Sequence, residues 1–162
     1  MAILELKNKY VEPFPAKKRG DEFGNLAPYR EGRPHRGLDW SVPSGSLIKA
    51  VGSGTVKVVD WSDGLGWYVI QSIENGKLFF LYAHLVEKPN LSEGKFVEAG
   101  KDAIGRVGST GKFSTGAHLH VTCGSVENLV TCGYDKLVDP ALLFVKKKAA
   151  KTEGGAKGAV AE

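Results

Sequence analysis

Four histidines occur in this chain, and each stands in a setting that one metal hydrolase site could use. His35 lies in Pro34-His35-Arg36-Gly37-Leu38-Asp39 and His84 in Leu81-Tyr82-Ala83-His84-Leu85. His118 and His120 lie in Ser114-Thr115-Gly116-Ala117-His118-Leu119-His120. With Asp39 they make a full set of ligands and bases, with no histidine left over. A catalytic zinc takes three protein ligands and keeps one position open for water. It lowers the pKa of that water to about 7 and polarises a scissile carbonyl. A neighbouring imidazole can then take the proton and steady the tetrahedral oxyanion.

The spacing supports convergence. Side chains alternate faces along an extended segment, so positions 35, 37 and 39 point the same way. The middle residue is Gly37, whose missing side chain leaves room for His35 and Asp39 to approach one ion. His118 and His120 are also two apart and share a face, while Leu119 turns toward the core. His35, Asp39 and His120 would bind the metal, with His84 and His118 standing beside it as general base and hydrogen-bond donor. One histidine taken alone is more often a packing residue than a ligand. H-x-x-x-D recurs by chance, and H-x-H occurs in several metal families. The joint occurrence, in this order and with Y-x-H between, carries the argument.

These residues need strands to hold them. Strands are predicted over 47–51, 54–59, 67–73, 77–82, 103–107 and 118–122. Glu74-Asn75-Gly76 separates two apolar runs, and Asn-Gly in that place signals a hairpin. The many glycines between short apolar runs fit turns joining short strands. The fold class is therefore mainly β, a compact antiparallel sheet or sandwich. Residues 1–34 hold four of the seven prolines and are read as an extended lead-in packed on the core through Phe14 and Phe23. The β domain spans 35–145. Asp139-Pro140 opens a short C-terminal helix over 139–144, with Asp as cap and Pro in the first turn. Residues 146–162, rich in Lys, Gly and Ala, are read as a disordered tail.

The bulk numbers exclude little. The chain has 162 residues, enough for one domain with a core, and a net charge of +4. Its only basic runs are Lys17-Lys18-Arg19 and Lys146-Lys147-Lys148, which give no ground for a nucleic-acid partner. No apolar stretch suits a signal peptide or a membrane span. Cys123 and Cys132 suit either a pair across a hairpin or two reduced, buried thiols. Gly111-Lys112 is followed by Phe113, and Arg106 stands where a nucleotide-binding loop needs Gly.

Over residues 20–145 the sequence resembles the lysostaphin-type (LytM-like) zinc endopeptidases. The shared features are Phe23-Gly24, His35-x-Gly37-x-Asp39, and Pro43-x-Gly45 followed by Ala50 and Gly54-x-Val56. Further along come Tyr82-x-His84-Leu85, the run Gly94, Val97, Gly100, Ile104-Gly105 and Val107-Gly108, then Ser114-Thr115-Gly116-x-His118-Leu119-His120. The resemblance implies the roles reasoned above: zinc on His35, Asp39 and His120, with His84 and His118 catalytic. It implies a small antiparallel β core with zinc in a long groove, and hydrolysis of peptide bonds in peptidoglycan stems or cross-bridges. Trp67 stands where many relatives carry Asn, Ala117 replaces a frequent Pro, and Trp40 follows the metal Asp. Trp40, Trp67, Tyr68 and Tyr82 are the candidates to line the groove, with ordinary packing as the alternative.

An active endopeptidase is the first reading. A non-catalytic peptidoglycan-binding or structural virion component is the second; such relatives lose site residues, and all five are present here. A wall-lytic domain without an export signal suggests a bacteriophage protein. It would be carried in the virion with other tail proteins, or held in the host cytoplasm until lysis.

Overall fold

A computed structural model describes residues 3–146. The predicted tail, 146–162, therefore lies outside the described residues except for Lys146. The strands are β1 (Leu38–Trp40), β2 (Leu47–Lys49), β3 (Gly54–Ser62), β4 (Gly66–Ile73), β5 (Leu78–Leu85), β6 (Phe96–Val97), β7 (Ala103–Arg106), β8 (Leu119–Gly124) and β9 (Leu137–Val138). Seven form one sheet in the order β1-β8-β5-β4-β3-β6, with β9 also on β8; β2 and β7 form a second, two-stranded sheet. Every pairing is antiparallel, so the mainly β expectation holds. Among the described residues no helix is long and apolar enough to cross a membrane.

The large sheet has a core on each face. Behind it, Trp40, Val69, Phe80, Tyr82, Leu119 and Val121 pack with Ile48 and Ile104 of the small sheet. In front, Tyr68, Ile70, Phe79, Leu81 and Ala83 pack under Leu129 and Cys132 of the loop after β8. All eight residues of β5 are buried because this strand is covered on both faces. Its neighbour β4 is joined to it by the hairpin that Asn75-Gly76 announced. Asn75 and Gly76 both take positive φ there, +55° and +83°, which Asn tolerates and Gly adopts freely.

The early residues act as an outer strand. Backbone bonds link Gly24 to His35, His35 to Asn25, Asp39 to Asp21 and Gly20 to Asp39, at 2.8–3.1 Å. The ladder holds the His35–Asp39 segment from outside while β8 holds it from inside. Tyr10 lies in the rear core and bridges Phe144, with Tyr10 accepting from Val145 and Leu143 accepting from Tyr10.

One expectation changes, and one open alternative is decided. The C-terminal helix is a single 3-10 turn, Pro140–Leu142, capped by Asp139 Oδ1 accepting from the Ala141 amide at 2.9 Å. It goes no further because Leu143–Val145 pairs with Lys9 and Tyr10 instead of continuing the turn. The cysteines are both free, and no bridge joins them. Cys123 belongs to the rear core and Cys132 to the front cluster, so the sheet stands between them.

Candidate active site

Strand register builds the set that could hold a metal ion. Asp39 of β1 lies directly opposite His120 of β8, so their side chains share the front face. His35, four residues before Asp39, joins them from the segment held by the lead-in. His120 Nδ1 is 2.9 Å from Asp39 Oδ1, and His35 Nε2 lies 3.4 Å from Asp39 Oδ1 and 3.2 Å from His120 Nδ1. Three donor atoms in a tetrahedral zinc site with bonds of about 2.0–2.2 Å sit about 3.3 Å apart. The triangle fits a single divalent ion. Gly37 is needed for it: a Cβ there would meet the Val121 carbonyl at 2.1 Å and His120 Cε1 at 2.8 Å.

Each ring is oriented through its other nitrogen. His35 Nδ1 faces the Glu22 carbonyl at 3.1 Å. A carbonyl only accepts, so that nitrogen carries the proton and Nε2 keeps its lone pair for a metal. His120 is turned the other way, with Nε2 2.7 Å from the buried Thr122 hydroxyl and Nδ1 in the triangle. Such outer partners fix ring orientation and tautomer.

The remaining two histidines flank the triangle. His84 Nδ1 donates to the Thr110 carbonyl at 2.7 Å, and His118 Nδ1 to the Gly116 carbonyl at 2.8 Å. Among the described residues neither Nε2 has a hydrogen-bond partner; His118 Nε2 lies 3.9 Å from Asp39 Oδ2. The two rings are 4.7 Å apart, and His84 is 6.1 Å from the ring of His120. Strict alternation along β5 cannot place His84 here, since Ala83 already faces the front. A bulge does so: Ala83 and His84 together oppose only Tyr68 of β4. His84 takes φ +63°, an unfavourable left-handed conformation for a residue with a Cβ, and its amide bonds the Leu65 carbonyl.

Burial sets the charge states. It lowers the pKa of His84 to about 4, and the charge of His120 pushes the same way. Burial lowers His120 too, with Asp39 opposing. For Asp39 burial opposes ionisation, yet hydrogen bonds and charge from His120 and His35 prevail and hold the carboxyl well below the usual range. The site therefore presents a carboxylate and a neutral His84 at neutral pH.

The aromatic candidates separate by face. Trp40 and Tyr82 are 0 % exposed and belong to the rear core, so they do not line the groove. Trp40 alternates with Asp39, and Tyr82 with Ala83. Tyr82 donates to Gln71 Oε1 and accepts from the Val51 amide, so its hydroxyl is used up in the interior. Trp67 pairs with Leu85 and packs on the rear core edge against Trp61. Only Tyr68 of the four lies on the histidine face. The sequence reading missed Thr122 as a site residue, although its i+2 spacing from His120 was a signal. Thr110 and Glu22 contribute carbonyls and leave no such trace.

With this geometry in view, the family model for peptidase family M23 matches residues 33–131. The chain belongs to peptidase family M23. It is 35 % identical over 103 residues to lysostaphin of Staphylococcus simulans, covering 64 % of this chain and 20 % of that one. It is 38 % identical over 121 residues to the DD-carboxypeptidase/endopeptidase Mpg of Neisseria meningitidis, covering 73 % and 27 %. The M23 fold is shared in structure too. The lysostaphin catalytic domain superposes with a TM-score of 0.66 at 32 % identity, covering 76 % of this chain and 88 % of that domain. The catalytic domain of the prophage-encoded M23 protein EnpA of Enterococcus faecalis superposes at 0.64 with 29 % identity, covering 80 % and 94 %. The chain thus spans about a fifth to a quarter of its curated relatives' length.

Proposed function

We propose that this chain is a zinc-dependent endopeptidase that hydrolyses peptide bonds in peptidoglycan stem peptides or cross-bridges. The observation that carries the reading is the His35–Asp39–His120 triangle with two further imidazoles whose unbonded nitrogens flank it. His35 Nε2, Asp39 Oδ1 and His120 Nδ1 would hold the metal. Bound there, zinc would supply Lewis-acid polarisation of the scissile carbonyl and a lowered pKa for water. His84, neutral through burial, offers Nε2 as the base that takes the water proton. His84 would then return that proton to the leaving amine, and His118, 4.7 Å away ring to ring with Nδ1 already on the Gly116 carbonyl, would donate from Nε2 to the developing oxyanion as the imidazolium. Lysostaphin and Mpg, both similar in sequence, support an endopeptidase reading. The non-catalytic alternative is disfavoured because every site position keeps a competent side chain.

Turbidity of purified cell walls from several bacteria, followed with and without a chelator beside metal analysis, tests this. Clearing that the chelator stops, with about one zinc per chain, is expected. Zinc-loaded protein that releases no new amino termini from any wall type would sink it. A bacteriophage setting, with action at the host wall and other tail proteins as neighbours, draws support from likeness to the prophage-encoded EnpA. Mass spectrometry of purified particles tests for the chain there.

A further inference from the structure

The cleft floor continues away from the triangle across the sheet. Register pairs Asp39 with His120 and His120 with Ala83; Tyr68 then opposes the Ala83–His84 bulge, and Asp60 of β3 opposes Tyr68. All of these alternate with rear-core residues and share the front face. Strands are about 4.8 Å apart, so Tyr68 lies about 10 Å from His120, two strands over. Tyr68, beside His84 in register, also lines a cavity of about 410 Å³ between Val58, Tyr68 and Ile70 of the sheet and Glu127, Asn128, Val130 and Thr131 of the loop after β8.

The lining of this cavity is chemically selective. Val58, Ile70 and Val130 make aliphatic walls. Tyr68 is largely buried, but its hydroxyl reaches solvent and has no hydrogen-bond partner among the described residues, so it is open to a ligand. Glu127 stands exposed at the rim, and Asp60 lies across from Tyr68; neither carboxylate has an ion-pair partner among the described residues. The loop is held from behind, where Arg36 donates to the Leu129 and Cys132 carbonyls at 3.1 and 2.8 Å. The cavity therefore joins apolar sides to an acidic, hydrogen-bonding mouth. Glycine would leave it empty, and a carboxylate side chain would be repelled by it.

We propose that this cavity is a substrate subsite for an aliphatic side chain ending in an ammonium group, that of a lysine-type diamino acid residue in the peptide. The methylenes lie along Val58, Ile70 and Val130, and the ammonium reaches Glu127 and the Tyr68 hydroxyl. This rests on the endopeptidase reading and names the substrate class that the same cleft selects.

The test uses wall-type peptides in which each lysine is replaced singly by norleucine or glycine. Binding is measured by calorimetry on the zinc-loaded His118→Ala chain and cleavage on the zinc-loaded unaltered chain. One lysine→norleucine exchange is expected to cost about tenfold in affinity and in kcat/KM, the scale of a charge-assisted hydrogen bond. In Glu127→Gln that lysine-over-norleucine ratio is expected to collapse toward one, and in Tyr68→Phe to narrow. Glu127 is exposed, so its substitution leaves folding alone. Equal treatment of lysine and norleucine, or a ratio that survives Glu127→Gln, would overturn the subsite. Cleavage without side-chain preference removes the subsite alone. Binding with the preference but without cleavage removes the endopeptidase reading and keeps the subsite. Neither binding nor cleavage removes both.

Discussion

Alternate residues of β8 end in different surroundings. Leu119, Val121 and Cys123 point back into a dry core, while His120 and Thr122 point forward and bond each other at 2.7 Å. β1 divides the same way, with Leu38 and Trp40 behind and Asp39 in front. Behind β1 and β8 the contacts are apolar packing, and these positions tolerate exchange among apolar groups provided that the volume is kept. In front of these two strands, beside the apolar cluster over β4 and β5, the side chains are held by directional bonds among a few polar atoms and tolerate no exchange of type. One strand thus supplies stability from one side and chemistry from the other.

Substitutions that act on one face only can break or sharpen this contrast. The largest effect is expected for His120→Ala, which removes a triangle corner: metal analysis should find zinc lost and wall-lytic activity with it. His118→Ala should keep the metal yet lower kcat by about 10²–10⁴-fold, the usual worth of a general acid or base. Retained turnover there would mean that His118 is a bystander. Leu119→Ala, between those two histidines but facing the rear, should cost about 2–5 kcal/mol in denaturant unfolding and leave zinc stoichiometry near one. If Leu119→Ala instead expelled the metal at full occupancy of the fold, the faces would not be separable.

Acidification reads the front face in the metal-free protein. The folded pKa of His84 is about 4 against an ordinary 6.5, so the unfolded chain binds the extra proton first. The stability contributed by neutral His84 is complete above about pH 6.5 and is lost as pH falls toward about 4, by up to ~3 kcal/mol. Thermal unfolding between pH 7 and 4 checks this; a midpoint that does not move, or that rises, counts against a buried neutral His84. The smallest effect is expected for Thr122→Val, which removes the hydroxyl beside His120 Nε2 and keeps the shape. Zinc affinity should weaken about 10–100-fold, and Thr122→Ser should restore it. Equal affinity in Thr122→Val would show that packing alone orients the ring.

Much of the site was legible because its determinants are local. His35, Gly37 and Asp39, and likewise His118 and His120, are two or four apart, and the two-residue period of a strand states which side chains can meet. Gly37 was readable for the same reason, as the position where a side chain would fill the ligand space. The aromatics were not legible. Trp40 and Tyr82 sit beside site residues in sequence but on the opposite face, and adjacency in the chain suggested the wrong side. Strands β1, β6 and β9, two or three residues each, escaped notice because so short a run carries no period.

The sequence by itself determined the side-chain types of the candidate metal set, the pairing of its near neighbours and the antiparallel β class, since side-chain identity and alternation need no partner strand. Tertiary structure alone decided that His84 joins them. A bulge exists only between two paired strands, and it turns a residue of the wrong parity to the front at the cost of a left-handed φ. Tertiary structure also decided which nitrogen of His35, His84 and His118 is free, because the Glu22, Thr110 and Gly116 groups that set it are backbone carbonyls. Any residue type could supply a carbonyl, so no letter of the sequence marks its place.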